Sequence, residues 1–148
     1  MGFFSEVVTP ALISEMSRED QKTILFELEG LAFATGISLF RQRIARKRLI
    51  IFTDNQAVQA CLLKCISSND HMDLIIKDVC RTEERLNLIS CIERVPSQSN
   101  PSDVLSRELV HKFLGVDRSS VDLCAMWRQC LDAILEEGRS AMASDRRL

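Results

Sequence analysis

The stretch Leu49–Val58, "LIIFTDNQAV", decides how the chain is read. Four large apolar residues, Leu49 to Phe52, run through Thr53 into a carboxylate, Asp54. A continuous apolar run is expected of a strand covered on both faces, so "RLIIFT" (Arg48–Thr53) is predicted to be a buried strand with Asp54 at its carboxyl end. An unpaired ion at the mouth of such a strand costs roughly several kcal/mol, so Asp54 needs a compensating partner. One ordinary role for it is a helix N-cap accepting backbone N–H bonds from "NQAV". "NQAVQACLLKC" (Asn55–Cys65) holds strong helix formers and no breaker, which predicts a helix directly after the aspartate.

Upstream, "GFFSEVV" (Gly2–Val8) is rich in β-formers and reads as a short strand ended by Pro10. "SRED" (Ser17–Asp20) supplies a capping residue and first-turn acids for a long helix reaching about Ala45. Ile24, Leu28, Leu31, Ile37 and Phe40 recur on it at helical spacing, and "RQRIARKR" (Arg41–Arg48) places cations at its negative end. Downstream, Ser67–Asp70 form a turn and a second helix is predicted from about Asp70 to Arg85. "LNLISCIERV" (Leu86–Val95) is the next strand, "PSQSNP" (Pro96–Pro101) a turn, and Pro101 opens a helix to about Leu114. A last amphipathic helix, about Val121–Glu137, carries Leu123, Met126, Trp127, Cys130, Leu131 and Ile134, and residues 138–148 form a frayed, disordered tail.

Alternating strands and helices predict an α/β layered domain, with a right-handed parallel crossover between the strand ending at Thr53 and the one ending near Val95. At 148 residues and 46% hydrophobic content the chain fits one domain over residues 1–137. A net charge of -2 provides no global field for nucleic acid, so such binding requires a local patch. The six cysteines lack the paired spacing of zinc sites and are expected as reduced core thiols, with Cys61 and Cys65 on one packed helix face rather than on a metal. No apolar run approaches bilayer length and no signal segment opens the chain, which predicts a soluble protein with no membrane partner, cytoplasmic or nuclear. His71 and His111 are expected at the surface or in helix caps, and Trp127 as a core anchor.

Groups at the carboxyl ends of neighbouring strands line the ligand crevice of open α/β sheets. Asp54 is one such group, Asp103 in "SNPSDVLSRE" (Ser99–Glu108) reaches the same rim, and Glu29 on the long helix is the third candidate. Each has an ordinary alternative: Asp103 favours the start of its helix, and Glu29, like Glu27, can be a solvated helix residue. Three converging carboxylates repel one another, which calls for a divalent cation, and oxygen-only ligands favour Mg²⁺ or Mn²⁺.

"ELEGLA" (Glu27–Ala32), "IIFTDNQAV" (Ile50–Val58) and "RVPSQSNPSDVLSR" (Arg94–Arg107), in that order, resemble the ribonuclease H-like domain attached to reverse transcriptases of retroelements. The resemblance covers about Phe3–Glu108. It implies a mixed sheet flanked by helices and a metal-dependent endonuclease that hydrolyses RNA in RNA–DNA hybrids, with other polyprotein domains as possible partners. Glu29, with Ala32 three positions on, matches the family's helix glutamate, and Glu27 matches it less well. Asp54 matches the aspartate ending the central strand, and Asp103 the aspartate of the late motif, with Asn100 before it. Those three would be the catalytic metal ligands, with Asn55 orienting the site. Arg43, Arg46 and Lys47, within the basic run Arg41–Arg48, would meet nucleic-acid phosphates, against the plainer reading of a solvated helix end.

Two departures bear on activity. The family's first hairpin, which supplies a further aspartate, is expected to be missing, with "GFFSEVV" matching the third strand; Ser97 lies near the place of a histidine found in many cellular members. The resemblance therefore implies a nuclease when the missing carboxylate is supplied. Otherwise it implies a non-catalytic module that binds nucleic acid or protein on the same fold, the absent hairpin leaving a sheet edge open.

Overall fold

In the computed structural model the described residues are 2–4, 6–17, 23–100 and 117–132. Their order is β1 (Gly2–Phe4), α1 (Pro10–Met16), α2 (Leu25–Leu39), α3 (Arg41–Ile44), β2 (Arg48–Thr53), α4 (Gln56–Lys64), α5 (Asp70–Leu86), β3 (Ile89–Arg94), a 3₁₀ turn (Ser97–Ser99), β4 (Asp117–Ser119) and a helical stretch, α6, over 123–132. The architecture is mixed α/β, as expected. Where one mixed sheet was predicted, the described strands form two parallel pairs, β2 with β3 and β1 with β4. The first keeps the register Arg48↔Ile89 to Thr53↔Arg94, so the parallel crossover exists and α5 lies within it.

The core forms where α2 meets α5. Met72, Ile75, Ile76 and Val79 recur at three and four residues along α5 and make one buried stripe. Leu31, Ala34 and Ile37 of α2 lie against it, and Gly30 admits Met72 closely: a Cβ there would stand 2.5 Å from Met72 Sδ. Caps set the ends of α5. Asn69 Oδ1 accepts from Met72 N–H at 2.9 Å, Asp70 and Asp73 occupy the positive first turn, and Asn87 closes the helix in the left-handed conformation at φ 48°. From the far side, Trp127 and Cys130 of α6 complete the core. The Trp127 ring meets His71 edge-on at 5.0 Å, and Arg128 Nη2 pairs with Glu15 of α1 at 2.6 Å. Trp127 is thus the core anchor expected, and His71 sits half-buried in the first turn of α5.

Several expectations are corrected. Pro10 starts a helix instead of only ending a strand: Thr9 Oγ1 accepts from Leu12 N–H at 3.2 Å and Pro10 stands where no amide hydrogen is needed. α1 then buries Leu12 and Met16. The long helix from Ser17 to Ala45 is shorter and divided. Ser17 is the C-cap of α1, α2 begins at Leu25, and the chain leaves helix at Phe40 because it must reverse into β2 through Ala45 and a left-handed Arg46 at φ 61°. The Arg46 N–H, donated to Leu86 O at 2.9 Å, ties that reversal to the end of α5. β2 is covered on one face only; Ile50 and Phe52 are 66% and 60% exposed. All six cysteines are free thiols, but only Cys130 is buried, while Cys65 and Cys91 are exposed. Cys65 ends α4 in a left-handed C-cap, so Cys61 and Cys65 do not share a continuous helix face. The helix expected over Pro101–Leu114, His111, Ile134 and the tail 138–148 lie outside the described residues.

The core also holds a carboxylate. Asp78 is 3% exposed, and burial raises its pKa, with Arg85, the Gln129 side chain, Arg81 and Cys130 opposing the rise. Burial first, and then the neighbouring Asp78, push the Cys130 thiol up to about 12. A carboxyl whose folded pKa is raised binds its proton more tightly in the folded state, so the stability it contributes is present below the unfolded pKa and lost as pH rises through the folded one. Asp78→Asn is therefore expected to raise the thermal midpoint at pH 7 by a few degrees, about 1 kcal/mol, with the gain shrinking as pH falls toward 4 in calorimetric scans. Gly30→Ala is expected to cost about 1–3 kcal/mol because the new Cβ would force the end of the fully buried Met72 side chain to move. Gly36→Ala, whose Cβ would meet Phe4 at an ordinary 3.7 Å, is expected to gain up to about 1 kcal/mol from helix propensity. Urea titrations of the two variants measure the contrast.

Candidate functional site

The turn from β2 into α4 builds the site. Asn55, not Asp54, is the N-cap of α4: its Oδ1 accepts from Ala57 N–H at 2.9 Å and Val58 N–H at 3.1 Å. Asn55 has a backbone in the extended region suited to a cap, and Thr53 Oγ1 accepts its N–H at 3.2 Å. The capping role considered for Asp54 thus falls to its neighbour. Asp54 is left half-buried at the strand's carboxyl end with its carboxylate free of that duty.

Across from it stands Glu29 of α2. The Asn55 side chain bonds to the Glu29 carboxylate. With Oδ1 engaged in the cap, the amide nitrogen is the group available to donate. The pKa of Glu29 is raised, first by desolvation and also by the charge of Asp54, while the Asn55 bond opposes the rise. Glu29 is exposed as a residue, so this desolvation arises on its groove side. Glu29 and Asp54 both line one groove of about 560 Å³, with Asn100 on the same rim. Its remaining wall is largely apolar, from Phe33, Ile37 and Phe40 of α2 and Leu49 and Ile51 of β2.

Glu27, the weaker match, points elsewhere. Two residues on a helix are about 200° apart, and Glu27 is 1% exposed, with Oε1 accepting from Asn69 Nδ2 at 2.7 Å. It serves the start of α5, a role the sequence signals only through the Asn69 cap. Arg46 and Lys47 are exposed at the opposite end of β2 from Asp54, and Arg43 is exposed on α3. Six strand residues separate the two ends by about 20 Å, so the cations and the carboxylates cannot hold one phosphate between them.

The structure therefore brings together Glu29, Asp54 and Asn55, with Asn100 beside them. It does not bring Glu27 or the basic run to that place, and Asp103 lies outside the described residues. Among the described residues no group of three or more His, Cys, Asp or Glu side chains is gathered to hold a metal ion. Among them too, no helix is long and apolar enough to cross a membrane. No protein-family model, curated protein or solved structure matches the chain.

Burial raises the pKa of Glu29 first, and its two neighbours then act on it in opposite directions. Asp54→Asn removes a neighbouring negative charge and is expected to lower the Glu29 pKa. Asn55→Ala removes a bond to the ionised form and is expected to raise it, while costing about 1 kcal/mol through the lost cap. Carboxyl-carbon NMR titration of Glu29 in the two variants reads the opposite signs.

Proposed function

We propose that Glu29, Asp54 and Asn55 form one side of a cation-dependent nuclease site of ribonuclease H type, directed at RNA paired with DNA. The observation that carries this reading is the meeting of Glu29 and Asp54, from the first two resembling sequence blocks, on one groove rim. Asn100, three residues before Asp103 in the third block, lies on the same rim.

The donor set fits a hard divalent ion. Two carboxylates face each other, all the donors are oxygens, and the proton affinity of Glu29 is already raised, first by burial and then by the charge of Asp54. Glu29 and Asp54 would hold Mg²⁺ or Mn²⁺, with Asp103 as the further ligand that the resemblance implies. When bound, such an ion supplies Lewis-acid activation of water and stabilisation of the leaving oxygen in phosphodiester hydrolysis. Asn55 fixes the Glu29 carboxylate and leaves Asp54 unencumbered. Arg46 and Lys47, about 20 Å away, would engage phosphates several nucleotides from the cut, with Arg43 on α3 adding to them, giving affinity that falls as salt rises.

Cleavage requires more carboxylates than the two that meet here. A hybrid-binding module without catalysis is the second reading, favoured by the small number of acids gathered among the described residues.

Titration with Mn²⁺ is expected to broaden the amide resonances of residues 28–32 and 53–57 first, with at least about tenfold weaker binding in Asp54→Asn. Broadening centred elsewhere rejects the site. Mg²⁺-dependent cutting of the RNA strand of a hybrid, lost in Asp54→Asn, supports the nuclease. Hybrid binding that survives Asp54→Asn without turnover in either protein selects the binding module.

A further inference from the structure

Among the described residues one edge of the β2–β3 pair is open. Ile89 N–H donates to Lys47 O at 3.1 Å and Val95 N–H to Thr53 O at 2.9 Å, so the odd-numbered peptide groups of β2 face β3. The polar groups of a strand alternate from side to side, which turns the N–H and C=O of Ile50 and Phe52 the other way. Among the described residues no strand pairs with them. The outer edge of β3 differs, because Gln59 Nε2 of α4 donates to Ile92 O there at 3.0 Å.

The groove described above runs along this same open edge. It is lined by Leu49, Ile51 and Thr53 from the inner face of β2 and by Phe52 from the outer one, and by no residue of β3. A groove touches both faces of one strand only by wrapping around its edge. Its far wall is α2, so a strand laid there would have helix cover on one side. A two-stranded sheet lacks such a third strand for independent stability.

We propose that this edge takes one extended segment of another polypeptide as an added strand. Alternate apolar side chains of the segment enter the groove, a carboxylate at one of its ends meets Arg46, Lys47 and Arg48, and a cation at the other meets Glu29 and Asp54. In strand addition the main-chain bonds give affinity and the pockets for alternate side chains give specificity. The apolar walls, Phe33, Ile37, Phe40 and Ile44 among them, suit the alternate apolar side chains of such a segment. The charges choose the segment. Arg46, Lys47 and Arg48 are exposed at one end of β2, and the acidic pair occupies the other, about 20 Å away. The inference rests on the edge and the groove and does not require a metal.

The test uses the whole ¹⁵N-labelled chain in EDTA with two blocked peptides of about seven residues, Glu-Ile-Thr-Ile-Thr-Ile-Lys and its reverse, which cover both strand directions. In the free chain the Ile50 and Phe52 amides are expected to exchange quickly. Adding one of the peptides is expected to slow them at least about tenfold while Leu49 and Ile51, already bonded to β3, change little. Ile50→Pro removes an edge N–H that β3 does not use and is expected to weaken binding at least about tenfold. Ala32→Trp fills the groove from α2, leaves the edge backbone intact and is expected to do the same. Slow exchange of Ile50 and Phe52 in the free chain would mean the edge is already paired and would overturn the proposal. So would the absence of any effect from both peptides, or binding indifferent to both substitutions. Because EDTA is present, failure here leaves the Mn²⁺ result standing, and failure of that titration leaves this one.

Discussion

One side-chain amide, that of Asn55, holds three elements in register. Its oxygen closes the first turn of α4, its backbone continues β2, and the rest of its side chain holds Glu29 on α2. A helix N-terminus left without a cap exposes four unsatisfied N–H groups. Asp54 would otherwise be the natural residue to serve them. With the cap supplied one position later, the aspartate at the strand's end is not consumed by local structure. The acidic pair therefore exists as a pair because a neutral residue follows it.

The two glutamates of "ELEGLA" show how packing assigns roles that spacing leaves open. They are alike in sequence, but α2 has to turn one side toward α5, and the close approach at Gly30 fixes which side. Glu27 then falls inside, where burying a charged group demands a partner and Asn69 provides it. Glu29 falls outside, on the groove. The same rotation turns Glu29 and Phe33 toward β2, with Ile37 reaching both the core and the groove, so the two are adjoining faces of one helix.

Much of this was legible in the chain. The run "RLIIFT", the helix formers of "NQAVQACLLKC", the turn at Ser67–Asp70 and the strand in "LNLISCIERV" place β2, α4, α5 and β3 within a few residues of where they lie, because apolar runs, helix formers and turn residues act locally. α1 was hidden behind Pro10, which marks a break as readily as a first helical turn, and only the preceding Thr9 tells them apart. The division of the long helix at Phe40 has no breaker to announce it, and the turn into β2 after α3 is held by the bond from Arg46 to Leu86, a partner forty residues away in sequence. An apolar strand was read as covered on both faces, yet Ile50 and Phe52 are open. Hydrophobicity states what a strand would bury and not whether a partner is present. In the site, the nearness of Glu29 to Asp54 followed from the order of the resembling blocks, whereas the exchange of capping duty from Asp54 to Asn55 depended on backbone angles that a sequence does not carry.

The bond from Gln59 to the Ile92 carbonyl, a small feature of α4, governs what β2 and β3 can become in company. A sheet with two bare margins is a template that can grow indefinitely, each recruit offering a fresh margin to the next, and this is how fibrils elongate. Here one margin has its central carbonyl, that of Ile92, already taken by a side chain of the same molecule. Whatever joins at β2 meets a plugged far side, so two copies meeting edge to edge would end the series instead of beginning it. The exposed Ile50 and Phe52 can thus stay in the sequence with polymerisation checked from the opposite flank.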